Sequence, residues 1–537
     1  MAQSQTPIKG SDRVPLPGAR AIGAAHGEQW VEVTVKVKRK AELPDLAGRP
    51  KTRMTREELA AKYGANAQDV EKLAEQFRAM GLDVIHTDAN SRIVEVGGTV
   101  SAMNAAFGVK LMQFAHAGEQ YRGRVGPIHV PDSMSNLVEG VFGLDNRRVN
   151  KRKANATTTM AAAVAKAKSR PWFYPEELAK IYNFPLGDGT GQSIGLLEFD
   201  GGYFESDLKQ FCADAKVPVP TVVAISVDGT PTNTLNDAAI EVMLDVEVVA
   251  GVCPKATIPV YFSSFTEKGW INALDAVIQD TVNDPSVLSI SWGNSEDGAW
   301  WTQSAITQVN EAFKEAALLG ITICVASGDD GSSDGVLDGH AHVDFPASSP
   351  YVLAVGGTTL RTSAGGHSEV AWKDGDGLRQ DNGGSTGGGV SLAFALPAWQ
   401  SSVAIASVNP AGKPGRVIPD VAADASAHTG YFMVIAGKVI HEGGTSASAP
   451  LWAGLIGRMN ASLAASSKRV GYLTPVLYQA ASAGGASVGA LGCKDIVKGE
   501  NNTAVVGGYT SSAGYDAVTG WGSPNGTALL TAVAPLL

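Results

Sequence analysis

Apolar positions along the chain recur with two periods, and the changes from one to the other mark out its elements. Residues Trp30–Val37 (WVEVTVKV) alternate apolar and polar side chains, the pattern of a half-buried strand. Helical spacing follows over 55–63 and 67–80; the second helix puts Val70, Leu73 and Phe77 on one face and meets its stop at Gly81. Residues 83–86 and 92–96 read as paired strands across Asp88-Ala89-Asn90, followed by a short helix near 101–107 and a strand near 110–114. The order β-α-β-β-α-β predicts a ferredoxin-like α+β unit. Further on, strands at Ile194–Phe199, 256–262, 287–291 and 321–326 alternate with helices at Glu205–Ala215, 270–282 and 304–319. That alternation predicts an α/β domain with a mostly parallel sheet and helices on both faces. Between the two units, residues 150–170 are rich in Ala, Lys, Arg and Thr with little apolar period, and read as an exposed, cleavable linker. The expected organisation is 1–149, a linker over 150–170, and a second domain over 171–537.

Within the second domain, Gly443-Gly444-Thr445-Ser446-Ala447-Ser448-Ala449-Pro450 sets a serine on a glycine-lined turn. An apolar strand over 431–440 precedes it, and an apolar helix starts near Ala447. A hydroxyl there is exposed on its substrate side, and amides at the helix start favour developing negative charge. The bland alternative is an N-cap serine. A serine nucleophile needs a base. None of His340, His342, His367, His428 and His441 is followed by the Gly-Ser/Thr of a subtilisin-type triad histidine, although Asp200 could fill that triad's aspartate slot. Carboxylates are the other source. In the segment 236–250, capped by Asn236 or Asp237 and stopped by Gly251 and Pro254, Glu241 and Asp245 stand four apart on one helical face. Apolar residues occupy nearly every other side, so the helix is predicted to be buried, and two stacked carboxyls in such surroundings push one pKa upward. A third acid, Asp329, ends a buried strand at Ser327-Gly328-Asp329-Asp330-Gly331. As a neutral acid it could donate to an oxyanion; the plainer reading is an Asx-turn.

Composition narrows the choices. A chain of 537 residues with 44% hydrophobic content can build more than one cored domain, and no run of eighteen apolar residues suggests a membrane span. The net charge of −10 disfavours nucleic acid as a partner. Cys212, Cys253, Cys324 and Cys493 show no CxxC spacing and demand no disulfide; Cys324, inside an apolar strand, is a core thiol. The 62 glycines have no period, which fits a turn-rich globular protein. Residues 1–29 contain no apolar segment after a basic start, so no signal peptide is visible.

The ordered set Glu241-x-x-x-Asp245, Ser327-Gly328-Asp329 and Gly444-Thr445-Ser446-Ala447-x-Ala449-Pro450 resembles the sedolisins, the serine-carboxyl peptidases, and within them the kumamolisin branch. The resemblance runs from about Tyr174 to the C-terminus, after a region similar to a prokumamolisin activation domain. It implies a subtilisin-like fold and an acid-active endopeptidase made as a self-processing zymogen. Ser446 would be the nucleophile, Glu241 the general base and acid, Asp245 its orienting partner and Asp329 the oxyanion donor. Asp330 departs from the Ser-Gly-Asp-Ser-Gly of the family, which bears on the local turn. Glu198 and Trp292 match an outer pair that extends the carboxyl chain; as plain features they are a strand-end acid and a packing tryptophan. Asp344 matches an acidic pocket residue that favours a basic side chain two positions before the cleaved bond. The segment from Arg416 to Ala425 matches as scaffold.

One structural calcium ion is implied as well. Asp495 and Asp516 with closely spaced carbonyls are hard oxygen donors suited to Ca2+, and the family would use the carbonyls of Ile496, Ser512 and Gly514 as further ligands. The implied partners are protein and peptide substrates and the chain's own propeptide as inhibitor, with no nucleic acid or membrane. The matured enzyme is expected to be a secreted monomer. The rival expectations are a catalytically inactive, calcium-stabilised binding protein and a Ser-His-Asp protease of subtilisin type. An esterase elbow would need G-x-S-x-G, and Gly444-Thr445-Ser446-Ala447-Ser448 does not supply it.

Overall fold

The computed structural model describes residues 4–149, 151–152, 156–157, 171–297, 299–379, 383–482 and 484–537. Most of the expected linker, at 150, 153–155 and 158–170, lies outside the described residues.

The N-terminal unit is built on four antiparallel strands lying side by side in the order Asp83–Asp88, Ile93–Thr99, Trp30–Val37, Val138–Phe142. This is the ferredoxin-like arrangement, but its fourth strand is Val138–Phe142 and not the segment near 110–114. Met112–His116 pairs instead with Arg20–Ala24 and Glu119–Gly123 in a separate three-stranded sheet. Side chains decide the difference. Phe114 stacks on Tyr121 at 5.2 Å in a small satellite cluster with Leu16, whereas Val138 and Val141 join the main core of Val33, Val35, Leu73 and Phe77. The helices begin where capping residues predict: Thr55 and Glu58 form a capping box ahead of Arg56–Tyr63, and Asn66 caps Ala67–Ala79.

In the second domain, strands Thr221–Ser226, Thr257–Ser263, Ile194–Phe199, Val287–Ile290, Thr322–Ala326 and Leu353–Ser363 run parallel in that spatial order. Val421–Asp424 adds to the last of them in parallel and Gly366–Ala371 pairs with it antiparallel. All six residues of Ile194–Phe199 are buried, as a parallel strand covered on both faces requires. One face packs the helices Asp237–Val252 and Thr445–Leu463 around Val246, Leu455 and Trp452; the other packs Glu267–Gln279 and Gln303–Leu319 around Trp270 and Phe313.

Two local expectations change. The helix starting at Asp237 does not stop at Gly251 but runs to Val252, because that glycine lets the helix close on Pro175; a Cβ there would sit 2.9 Å from the proline. The apolar stretch 431–440 is not one strand but a hairpin, Tyr431–Ile435 and Lys438–Glu442. Its turn residues Ala436 and Gly437 have φ of 51° and 69°, the left-handed values that a tight two-residue hairpin loop uses.

The N-terminal unit docks on the second domain through ion pairs, most with the base on the N-terminal side: Arg13–Glu267 (3.2 Å), Lys36–Asp275 (2.8 Å), Arg39–Glu315 (2.8 Å) and Arg56–Asp284 (2.5 Å). Lys268–Glu95 (2.7 Å) runs the other way. Burial pushes the Asp275 carboxyl up and the Lys36 ammonium down in pKa, each opposed by its partner's charge.

One buried acid carries a stability consequence. Glu247 is 1% exposed, accepts a bond from the Val434 amide at 2.8 Å, and burial holds its pKa well above the usual carboxyl range. A carboxyl that is raised in the folded state stabilises fully in acid and loses that contribution as pH climbs above the unfolded value of about 4.3. Glu247→Gln, which does not titrate, should therefore gain roughly 1–3 kcal/mol over wild type at pH 7 and much less at pH 5. Urea unfolding of both chains at the two pH values checks it.

Candidate active site

Three strand ends and the first turn of one helix converge at the carboxyl-terminal rim of the parallel sheet. Gly444, at φ 97°, turns the chain into the helix Thr445–Leu463, so Ser446 sits in its first turn. Ser446 is fully buried, contrary to the expectation of an exposed hydroxyl. The linker backbone, where described, lies on both flanks: Lys151–Arg152 pairs with Gly293 and Trp292, and Ala156–Thr157 with Glu442 and His441. The Ser446 Oγ donates weakly to the Ser291 carbonyl at 3.5 Å, and among the described residues no histidine nitrogen is its partner.

Glu241 and Asp245 lie one turn apart on the buried helix Asp237–Val252, both with no exposed surface. Asp245 Oδ1 accepts from the Ser291 hydroxyl at 2.9 Å, and the same hydroxyl reaches the Ser446 carbonyl at 3.2 Å. Glu198, at the end of its strand, accepts from the Trp292 indole N–H at 2.9 Å. Burial, first, and then the neighbouring carboxylates push Asp245 far upward in pKa, with Glu198 and Glu241 as the charged neighbours. Glu198 is raised too, by burial, with the indole N–H opposing and Glu241 adding to the rise. Acids packed this closely without a cation retain protons that water would take.

Asp329 follows the strand Thr322–Ala326 and reaches Thr445, the residue before Ser446. Its Oδ1 accepts from both the Thr445 amide (2.9 Å) and the Thr445 hydroxyl (2.7 Å). Its Oδ2 is buried and accepts no hydrogen bond among the described residues. Burial raises its pKa to about 6, against the pull of the Arg379 guanidinium and the Thr445 donors. The departure at Asp330 now has a structural account. Asp330 is held by Arg379 through Nε (3.0 Å), Nη2 (2.7 Å) and the backbone amide (3.0 Å), which parks a partly buried cation near Asp329. Every catalytic candidate named from sequence thus falls in one cluster. Ser291, Thr445 and Arg379 were not among those candidates.

Comparison with known proteins agrees with this geometry. Residues 19–147 match the pro-kumamolisin activation domain, and residues 221–515 match the subtilase family. Kumamolisin of Bacillus sp. (strain MN-32) is 41% identical over 549 residues, spanning 98% of this chain and 96% of its own. Sedolisin of Pseudomonas sp. (strain 101) is 29% identical, over 96% of this chain and 88% of its own. The solved structure of Pseudomonas sedolisin, a serine-carboxyl proteinase complexed with two molecules of pseudo-iodotyrostatin, aligns with a TM-score of 0.58 at 28% identity, covering 68% of this chain and 99% of that one. The chain is a kumamolisin-like member of the sedolisin family. It is therefore a serine-type peptidase, made as a zymogen with an activation domain.

Two further expected sites can be placed in this sedolisin. Asp344 is fully buried in the strand Asp344–Phe345, which pairs with Asn294 and Ser295 next to Trp292; a Cβ on Gly328 would lie 3.6 Å from that of Asp344. The residues expected to bind calcium also meet. The Gly514 amide donates to Asp495 Oδ2 at 2.8 Å and the Ser512 amide to Asp516 Oδ2 at 3.0 Å, which folds the loop onto the segment after Cys493–Lys494. The carbonyls of Ile496, Ser512 and Gly514 accept no hydrogen bond among the described residues. Two carboxylates and three uncommitted carbonyls make an all-oxygen set that fits Ca2+. Among the described residues no three His, Cys, Asp or Glu side chains gather as a metal cluster.

Ser291 links Asp245 to the backbone of Ser446. Ser291→Ala leaves Asp245 without its hydroxyl donor, which should cost about 1–3 kcal/mol of stability and lower kcat more than it raises KM. Denaturant unfolding together with steady-state kinetics on one peptide substrate reads both effects.

Proposed function

We propose that this sedolisin is an acid-active endopeptidase that removes its own propeptide and works through an acyl-enzyme. The observation that carries this reading is Asp329. One of its oxygens is fixed by Thr445, the residue before Ser446, and the other has no partner, while burial holds the acid neutral up to about pH 6. Ser446 Oγ attacks the peptide carbonyl as Glu241 takes its proton. The proton on Asp329 hydrogen-bonds to the oxyanion. Glu241 then returns its proton to the leaving amine, and water, activated by the same carboxylate, hydrolyses the acyl-enzyme. Asp245 orients Glu241, with Glu198 and Trp292 behind it. Asp344 would favour a basic side chain in the substrate.

The propeptide is assigned to 1–149, the cleaved linker to 150–170 and the peptidase domain to 171–537. The Lys36–Asp275 and Arg39–Glu315 pairs hold the two parts together, and acid neutralises Asp275, whose pKa burial raises. Calcium, held by Asp495, Asp516 and the carbonyls of Ile496, Ser512 and Gly514, would brace the C-terminal loop. The mature enzyme is read as an exported monomer acting on protein and peptide substrates.

Two measurements test this reading. The wild-type and Ser446→Ala chains, shifted from neutral pH to about pH 4, near the ordinary carboxyl pKa, should differ in intact mass. Wild type should be cut within 150–170 and the variant left whole; equal cutting, or none, would contradict the assignment. The second is the pH profile of kcat/KM. Because Asp329 must be neutral, activity should fall as pH rises through about 6. Arg379→Gln removes the cation that lowers the Asp329 pKa and leaves Asp330 charged, so the falling limb should move to higher pH. A limb that stays put or moves down would remove Asp329 from this role.

A further inference from the structure

The opposite rim of the parallel sheet holds a second polar feature. A cavity of about 540 Å³ opens where the strands begin, lined by Ser193, Thr257 and Ser286 from three strand starts. The six residues of Ile194–Phe199 separate it from the active site by about 20 Å. Its walls also carry Arg53, Lys255, Lys468 and Arg469. Lys255 pairs with Asp188 at 2.8 Å, and the lining carboxylate, Asp284, is taken by Arg56 at 2.5 Å. Arg53, Lys468 and Arg469 have no carboxylate partner among the described residues.

Like charges brought together this way repel, and Arg469 stands among them. Its Nε is buried with no hydrogen-bond partner, and so is the hydroxyl of Ser193 on the same wall. Burial and then the positive charge of Arg53 lower the Arg469 pKa to about 10, with Arg56 adding to the fall and Asp284 resisting it. A guanidinium kept in this position with an unmet donor is what an oxyanion would satisfy, through charge-assisted hydrogen bonds. The cations without a carboxylate partner come from both parts of the chain: Arg53 from the activation domain, and Lys468 and Arg469, whose Nη2 donates only to the Leu319 carbonyl at 3.4 Å, from the peptidase domain. Arg49, nearby in the activation domain, already grips the carbonyls of Arg469 (3.2 Å) and Val470 (3.0 Å), so the junction is in place before any ligand arrives.

We propose that this cavity binds a multivalent oxyanion of the phosphate or sulfate class, which bridges Arg53 to Lys468 and Arg469 and so fastens the activation domain to the peptidase domain at the end remote from the active site. The ligand is either a free anion or one group of an anionic polymer. Recognition in both cases rests on the same three cations and the Ser193 hydroxyl.

The test uses the full-length Ser446→Ala chain, so that processing cannot intervene, at pH 7. Sodium phosphate is titrated in by calorimetry against sodium chloride at equal ionic strength. Saturable binding of phosphate with a raised Tm is expected, and Arg53→Ala and Lys468→Ala, both at exposed positions, should each weaken it about tenfold. Displacement of phosphate by long-chain polyphosphate at a much lower concentration of phosphate groups would place the site on a polymer; equal potency would place it on the free anion. Phosphate that does no more than chloride, or binding that both variants keep at wild-type strength, overturns the proposal. The readout is binding and not proteolysis, so its failure leaves the assignment of Ser446 and Asp329 untouched.

Discussion

Removal of carboxyl groups from water is the constraint on which the rest of this structure depends. Glu198, Glu241 and Asp245 have no exposed surface and Asp329 has 1%. An ionised carboxylate in such a place is costly unless a cation or several donors meet it. At this rim the donors are few and specific: an indole N–H for Glu198, one serine hydroxyl for Asp245, and an amide and a hydroxyl for Asp329. The cheaper course for the group is to keep protons, and the fold is arranged to make that possible. The helix Asp237–Val252 is apolar on most of its other sides, so Glu241 and Asp245 are locked in place by packing around Val246 and Val249. A looser helix would let water in and return the acids to ordinary behaviour.

The domain interface applies the same physics with the opposite sign. There the carboxylates of Glu267, Asp275, Asp284 and Glu315 are each met by an arginine or lysine of the activation domain. These ion pairs hold the two domains together, whereas at the rim burial raises the Asp329 pKa to about 6.

Much of this was legible in the sequence, for physical reasons that can be named. Buried parallel strands are short apolar runs, so Ile194–Phe199 and its neighbours stood out, and the apolar surroundings of Glu241 and Asp245 already indicated a buried pair. The candidate cluster was readable because glycine-rich turns at strand ends mark the rim on which Glu198, Trp292, Asp329 and Ser446 meet. What stayed hidden depends on contacts between distant parts of the chain. Arg379 reaches Asp330 across 49 positions, and Ser291 reaches Asp245 across 46. No local pattern announces either. The fourth strand of the activation domain was misplaced because Met112–His116 and Val138–Phe142 are both short and apolar, and only packing against Val33 and Phe77, or against Leu16, tells them apart.

A single element connects the two rims. The helix Thr445–Leu463 has 19 residues and so spans about 28 Å. Its first turn gives an amide to Asp329 and carries Ser446; just beyond its last turn the chain presents Lys468 and Arg469 to the basic cavity. The first placement agrees with the helix dipole, whose positive end favours negative charge. The two sites can then differ in ligand and in response to acid while sharing one rigid support through the core.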